Sequence, residues 1–184
     1  MNRGKRAAFV VIVVLQLLVL ALMIARRVHL LATGERVLLR CAPVDPRSLL
    51  SGDYVRLNFA ISNFSEQKLA RLNAGRESFR EHDTIYVALE PAVGGAPRRA
   101  AAVSHDLTDL RRRFPVVLRG TVHSEGWRGG LGVRYGVEEY FVPQGQGLRI
   151  EREMGNVAVE VAVARSGESA LRRLFIDGQE VRFR

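Results

Sequence analysis

The sequence predicts a mainly β domain, a barrel or sandwich of short antiparallel strands, behind one N-terminal transmembrane helix and with one or two short helices. Three observations predict it. Ala7 to Ala25 carries no charge and only Gln16 as a polar residue; a bilayer core about 30 Å thick needs roughly 20 helical residues, so this run spans one. In Ser51 to Ile61, Val55, Leu57, Phe59 and Ile61 fall on one side and Tyr54, Arg56, Asn58 and Ala60 on the other, the period of two of a half-buried strand. Turn signals then recur at short intervals to the end of the chain, the spacing of an all-β barrel or sandwich.

The apolar run is longer than the h-region of about 7–15 residues that a signal peptide uses, and Arg26-Arg27 follow it without a small-x-small cleavage site. A buried soluble helix is rarely apolar on every face. The reading is therefore an uncleaved anchor, with residues 1–27 as cytoplasmic tail and transmembrane segment and residues 28–184 as an extracytoplasmic β-rich domain. Arg3, Lys5 and Arg6 lie before the run and Arg26 and Arg27 after it, so charge does not fix the orientation. The short tail and the large C-terminal part do, because long domains translocate largely regardless of charge.

After the anchor, Arg36 to Cys41 reads as a first strand, broken by Pro43 and Pro46, which cannot donate to a ladder. Gly52 and Asp53 make a turn into the alternating strand, about residues 53–62. Asn63 to Leu72 reads as a short helix, with Asn63 and Glu66 close to a capping-box pattern, Phe64, Leu69 and Leu72 on one face and Gly75 as its stop. Thr84 to Leu89 is a strand, Arg98 to Ser104 its hairpin partner, and Asp106 to Arg113 a helical turn ended by Pro115. Val116 to His123 is the next strand, Gly126 to Gly130 a tip, and Leu131 to Tyr135 the return. Leu148 to Met154 is a short helix or an arm. The last third is a meander: Val157 to Ala164, a turn at Arg165 to Glu168, Ala170 to Ile176, a turn at Asp177-Gly178, and Glu180 to Arg184.

The net charge of +9 is no nucleic-acid signal. Residues 1–27 hold five basic and no acidic groups, leaving 23 basic against 19 acidic beyond them, and 26 of the 28 basic residues are Arg, which scarcely titrates. Arg111-Arg112-Arg113 reads as a solvated face that touches anionic lipid only if it lies near a membrane. The lone cysteine, Cys41, cannot form an intramolecular disulfide and reads as a small buried hydrophobe.

No chemical constellation stands out. His29, His82, His105 and His123 have no metal-ligand spacing, so no metal and no cofactor is expected. Glu138 and Glu139 are adjacent and face opposite sides of a strand, unlike a glycosidase pair about 5–9.5 Å apart. Glu138 instead reads as an ion-pair partner for Arg134 across the Gly136 bend. Ser104-His105-Asp106 is a triad by letters alone. Tyr54 and Tyr140, if adjacent, suit a groove for a partner or ligand, and Asp53, Tyr54, Arg134, Tyr135, Glu138 and Tyr140 form that candidate binding surface.

Gly52-Asp53-Tyr54-x-x-Leu57-x-Phe59 resembles the signature of the GDYXXLXY family of membrane-anchored bacterial proteins, departing from it where Phe59 stands for Tyr. The resemblance continues through Leu118 to Val122, the string Arg134-Tyr135-Gly136-Val137-Glu138-Glu139-Tyr140-Phe141-Val142-Pro143, and Ala170 to Gly178. It implies one N-terminal anchor in the bacterial inner membrane, an extracytoplasmic domain, and a polytopic membrane protein as partner; it implies no biochemical activity. The turn-Gly-Asp-strand pattern also resembles the segment after the nucleophile in signal peptidases. Those enzymes place Ser eight or nine residues before the Gly, where this chain has Val44 and Pro43. Ser48, Ser51 and Lys68 are the residues left for such a dyad. The expected function is a non-catalytic accessory or interaction module for another envelope membrane protein. A membrane-tethered hydrolase and a small-ligand or glycan binder are the alternatives.

Overall fold

The computed structural model describes residues 3–42, 54–73, 77–91, 94–123, 130–143, 150 and 153–182. A helix, α1 (Arg3–Thr33), leads through Gly34 alone into the first strand, β1 (Glu35–Arg40). Within α1, Ala8–Thr33 is long and apolar enough to cross a membrane; its most apolar stretch is not buried by the rest of the chain, and Leu30 near its end is. Phe9, Leu15, Leu18, Met23 and Ile24 are each more than half exposed.

The β part is antiparallel throughout. Its larger sheet runs in the order β3 (Asn63–Phe64), β7 (Leu131–Arg134), β6 (Val116–His123), β4 (Thr84–Leu89), β5 (Ala100–Ser104). A four-stranded sheet runs β1, β9 (Val157–Val163), β10 (Ser169–Ile176), β11 (Gln179–Glu180), and a two-stranded ribbon joins β2 (Tyr54–Arg56) to β8 (Glu139–Phe141). The turn Asp177-Gly178 has positive φ at both residues, 50° and 78°, the geometry of a tight hairpin connection. The mainly β fold class read from the alternation therefore holds.

One core lies between the two larger sheets. Val37 and Leu39 of β1, Val157, Val159 and Val161 of β9, and Leu174 of β10 meet Ile85, Val87, Leu89, Leu118 and Val133 from the facing sheet. A second, smaller cluster explains why β4 and β6 are apolar on both faces. Helix α3 (Leu107–Arg113) lays Leu110 on Ala88, Ala102 and Val117. Asp106 starts α3 by accepting from the amides of Thr108 and Asp109 at 2.7 and 3.1 Å, as an N-cap does.

The alternating stretch is a seam between all three sheets. Its first residues pair with β8, and the Leu57 amide donates to Glu138 O. Phe59 bridges Cys41, with Ala42 N donating to Asn58 O and Ala60 N to Arg40 O. Just beyond it, β3 pairs with β7, and Val133 N donates to Ser62 O at 2.8 Å. Val55, Leu57, Phe59 and Ile61 are all at most 3% exposed, as the period of two requires.

One boundary differs from expectation. The helix does not begin at Asn63: Asn63–Phe64 is strand, and α2 (Glu66–Leu72) is capped by Ser65, whose Oγ accepts from Lys68 N at 3.3 Å. Pairing with β7 holds Asn63 extended, and Ser65 is the next residue able to cap. Gly52, Asp53 and Gly75, the Gly126–Gly129 part of the predicted tip, and most of Leu148 to Met154 lie outside the described residues.

Candidate functional site

The predicted binding residues divide between scaffold and surface. Asp53 lies outside the described residues, and Tyr54 is described in its backbone alone. The register sets Tyr54 across from Phe141 and Tyr140 across from Val55, so positions 54 and 140 fall on opposite faces of the ribbon. Tyr140 is half-buried against the core. Burial, and then the charge of Glu180, push its phenol above the ordinary range.

Tyr135 is scaffold. Its ring is 6% exposed and meets Phe59 edge-on at 6.5 Å. Its hydroxyl donates to the Ile61 carbonyl at 2.5 Å, tying the β7–β8 connection to the seam. Burial and then the neighbouring Glu138 carboxylate hold this phenol well above its ordinary range. Glu138 does not pair with Arg134. Its carboxylate accepts from the amides of Tyr135 and, at 3.0 Å, Val137, clasping the turn in which Gly136 has φ +75°. Arg134 turns instead to His123, donating to Nε2 at 2.8 Å. Carboxylate and guanidinium thus serve two separate local structures.

The residues proposed for hydrolysis do not converge either. Ser48 and Ser51 lie outside the described residues. Lys68 is exposed on α2, its Nζ over the Phe64 ring at 5.1 Å. The Ser104-His105-Asp106 letters make a structural knot around Glu77, which accepts from Ser104 Oγ and from the His105 amide, both at 2.7 Å. The His105 ring nitrogens lie against the carbonyls of Thr84 and Ser78, so the ring is not set to take the serine proton. Among the described residues no group of His, Cys, Asp and Glu could hold a metal. Cys41 is 2% exposed, and burial pushes its thiol up to about 12; a thiol at that value is inert as a nucleophile.

A concave surface lies elsewhere, on the outward face of the four-stranded sheet. A groove of about 440 Å³ is floored by Leu38, Ala158 and Phe175 and edged by Arg36, Arg98 and Glu160. The strand period makes the floor: Arg36 and Leu38 alternate with the core residues Val37 and Leu39, and Ala158 and Glu160 with Val157, Val159 and Val161. The far wall comes from the 94–98 segment, where Arg98 N donates to Leu38 O at 2.8 Å.

Charge in the groove is organised by a bulge. The β9–β10 register shifts between Leu171 and Arg173, leaving Arg172 as the extra residue. Two consecutive arginines then address one acid, Arg172 Nε and Arg173 Nε each 3.7 Å from Glu160 Oε1. Those distances are ion-pair contacts and too long for hydrogen bonds. Arg98 is 11% exposed in its side chain and donates from Nη2 to Glu35 at 2.9 Å. Its Nη1, like Arg172 Nη1, is buried without a hydrogen-bond partner among the described residues. Such an N–H costs about 1–3 kcal/mol when left unmade. The groove therefore combines an apolar floor with a mixed-charge edge of Arg36, Arg98 and Glu160. Alternation in β1 and β9 held the signal for its floor. Its wall depends on a loop crossing that no local pattern encodes.

A family model described as GDYXXLXY protein matches residues 16–174, most of the chain. No curated protein and no solved structure gives a significant match. The chain belongs to the GDYXXLXY family.

Proposed function

For this GDYXXLXY protein, we propose the role of a single-pass membrane protein whose extracytoplasmic β domain is a non-catalytic interaction module for a multi-spanning protein of the bacterial inner membrane. One observation carries the reading: the apolar helix and the β domain are joined by Gly34 alone, and the joint is clamped. Gly34 N donates to Leu30 O at 2.8 Å, Arg27 Nη1 donates to Ser169 O at 3.0 Å, and Arg26 lies 3.7 Å from Glu168. A Cβ on Gly34 would stand 2.6 Å from Leu30 O, so the close approach needs glycine. A freely searching tethered activity is served by a long flexible linker. A one-residue joint fixes height and orientation, which matters to a domain that must meet a neighbour held in the same bilayer.

The groove beside Arg98 is the contact surface in this reading, receiving an apolar partner segment on its floor of Leu38, Ala158 and Phe175. The size of the β part supports an N-in orientation, since long domains translocate largely regardless of charge. The test is purification of the full chain from native membranes in mild detergent. A multi-spanning protein should co-purify in fixed ratio. Leu38→Asp with Phe175→Asp should cut its amount about tenfold while leaving the chain's own membrane level unchanged. A chain that purifies alone, or a ratio unmoved by those substitutions, contradicts the reading.

A further inference from the structure

The fold brings arginines from three places in the sequence to one edge. They are Arg26-Arg27 near the end of α1, Arg111-Arg112-Arg113 in the last turn of α3, and Arg165 in the turn between β9 and β10. That turn is the meeting point. On one side Arg26 faces Glu168 and Arg27 donates to Ser169 O. On the other, Arg111 Nη2 donates to Ala164 O at 2.9 Å. Arg165 is near enough that, after burial, its charge is the next cause lowering the Arg111 pKa.

The height of this edge follows from helix geometry. The uncharged run ends at Ala25, and at 1.5 Å per residue Gly34 stands about 13.5 Å further along the axis. β1 leaves Gly34 away from the run, with Glu35 opposite Val163 at the end of antiparallel β9. The chain beyond Val163 then descends beside α1 to the level of Arg26 and Arg27. That level is where a spanning helix passes from hydrocarbon to headgroups. Arg112, Arg113 and Arg165 are exposed there. The acids nearby are fewer and already engaged: Glu168 with Arg26, Asp109 with Arg113, and Glu35 with Arg98.

We propose that this arginine edge binds the phosphates of anionic lipids in the leaflet from which the β domain emerges, seating the domain on the bilayer beside its own helix. The inference rests on the proposed reading of α1 as a membrane span. Guanidinium groups match phosphate oxygens in a two-pronged geometry, and a basic residue near an anionic surface gains roughly fivefold in occupancy. The clamp at Arg26 and Arg27 and the lipid contacts at Arg112, Arg113 and Arg165 flank the same turn, so together they oppose tilting of the domain.

The test is hydrogen exchange of the full chain in nanodiscs of phosphatidylcholine alone or mixed with phosphatidylglycerol. The expected result is several-fold slower exchange over residues 107–114 and 164–168 with the anionic lipid, reversed by raised salt. The R112Q/R113Q/R165Q variant should lose that difference while the core strands exchange as before. Equal exchange in both lipids for the inserted wild type overturns the lipid contact and leaves the span intact. A chain that alkaline carbonate extracts from membranes overturns both.

Discussion

At the scale of single residues, the family string around Arg134 to Pro143 acts mainly as scaffold. Tyr135→Phe keeps the ring against Phe59 and removes the hydroxyl bond to Ile61 O. It should cost about 1–2 kcal/mol in denaturant unfolding, the range for a buried bond whose partner is left unmade. Cys41 makes a second prediction, in pH. Its thiol is raised from 9.0 to about 12 in the folded state, so the unfolded state releases the proton first. This stabilisation is complete below about pH 9 and drains away as pH rises toward 12, at up to about 1.4 kcal/mol per unit. Wild type should lose about 2 kcal/mol more than Cys41→Val between about pH 8 and 10.5. Maleimide should label Cys41 only after unfolding. The burial of Cys41 was legible from its apolar neighbours. The engagement of Glu138 with two amides was not, because spacing across Gly136 suits an ion pair with Arg134 equally well, and only the backbone turn decides.

At the scale of elements, the alternating stretch holds the β part together at a seam, and its two faces should respond differently. Phe59→Ala opens a void among Cys41, Leu57 and Tyr135 and should cost about 3–5 kcal/mol, enough to unfold a marginal domain. Arg56→Ala, on the exposed face, should stay within about 0.5 kcal/mol. Thermal unfolding of the two variants separates them. The period of two gave this face assignment directly, and the meander from Val157 to Ile176 was equally clear because each strand is bounded by turn residues. Which strands pair was not readable. The stretch contacts β8, the end of β1 and β7 in succession, and such a change of partner is set by packing between distant segments. The bulge at Arg172 is hidden for the same reason: Ala170 to Ile176 looks like an ordinary strand until β9 is laid beside it.

At the scale of the whole molecule, the decisive feature is how little chain separates helix from sheet. The sequence showed the apolar run and the strand after it, with Gly34 between. It did not show that the β9–β10 turn folds down against α1, since Ser169 and Arg27 meet across 142 residues. That contact ties the β9–β10 turn to the end of α1, and in the proposed reading it fixes the angle at which the groove edged by Arg36, Arg98 and Glu160 is presented. The most direct measurement is an insertion of a flexible Gly-Ser linker between Gly34 and Glu35 in the full chain. Co-purification from native membranes is then compared with wild type at equal expression. The account predicts an unchanged unfolding midpoint for the β domain and loss of the multi-spanning partner. A linker variant that holds its partner at the wild-type ratio would contradict it.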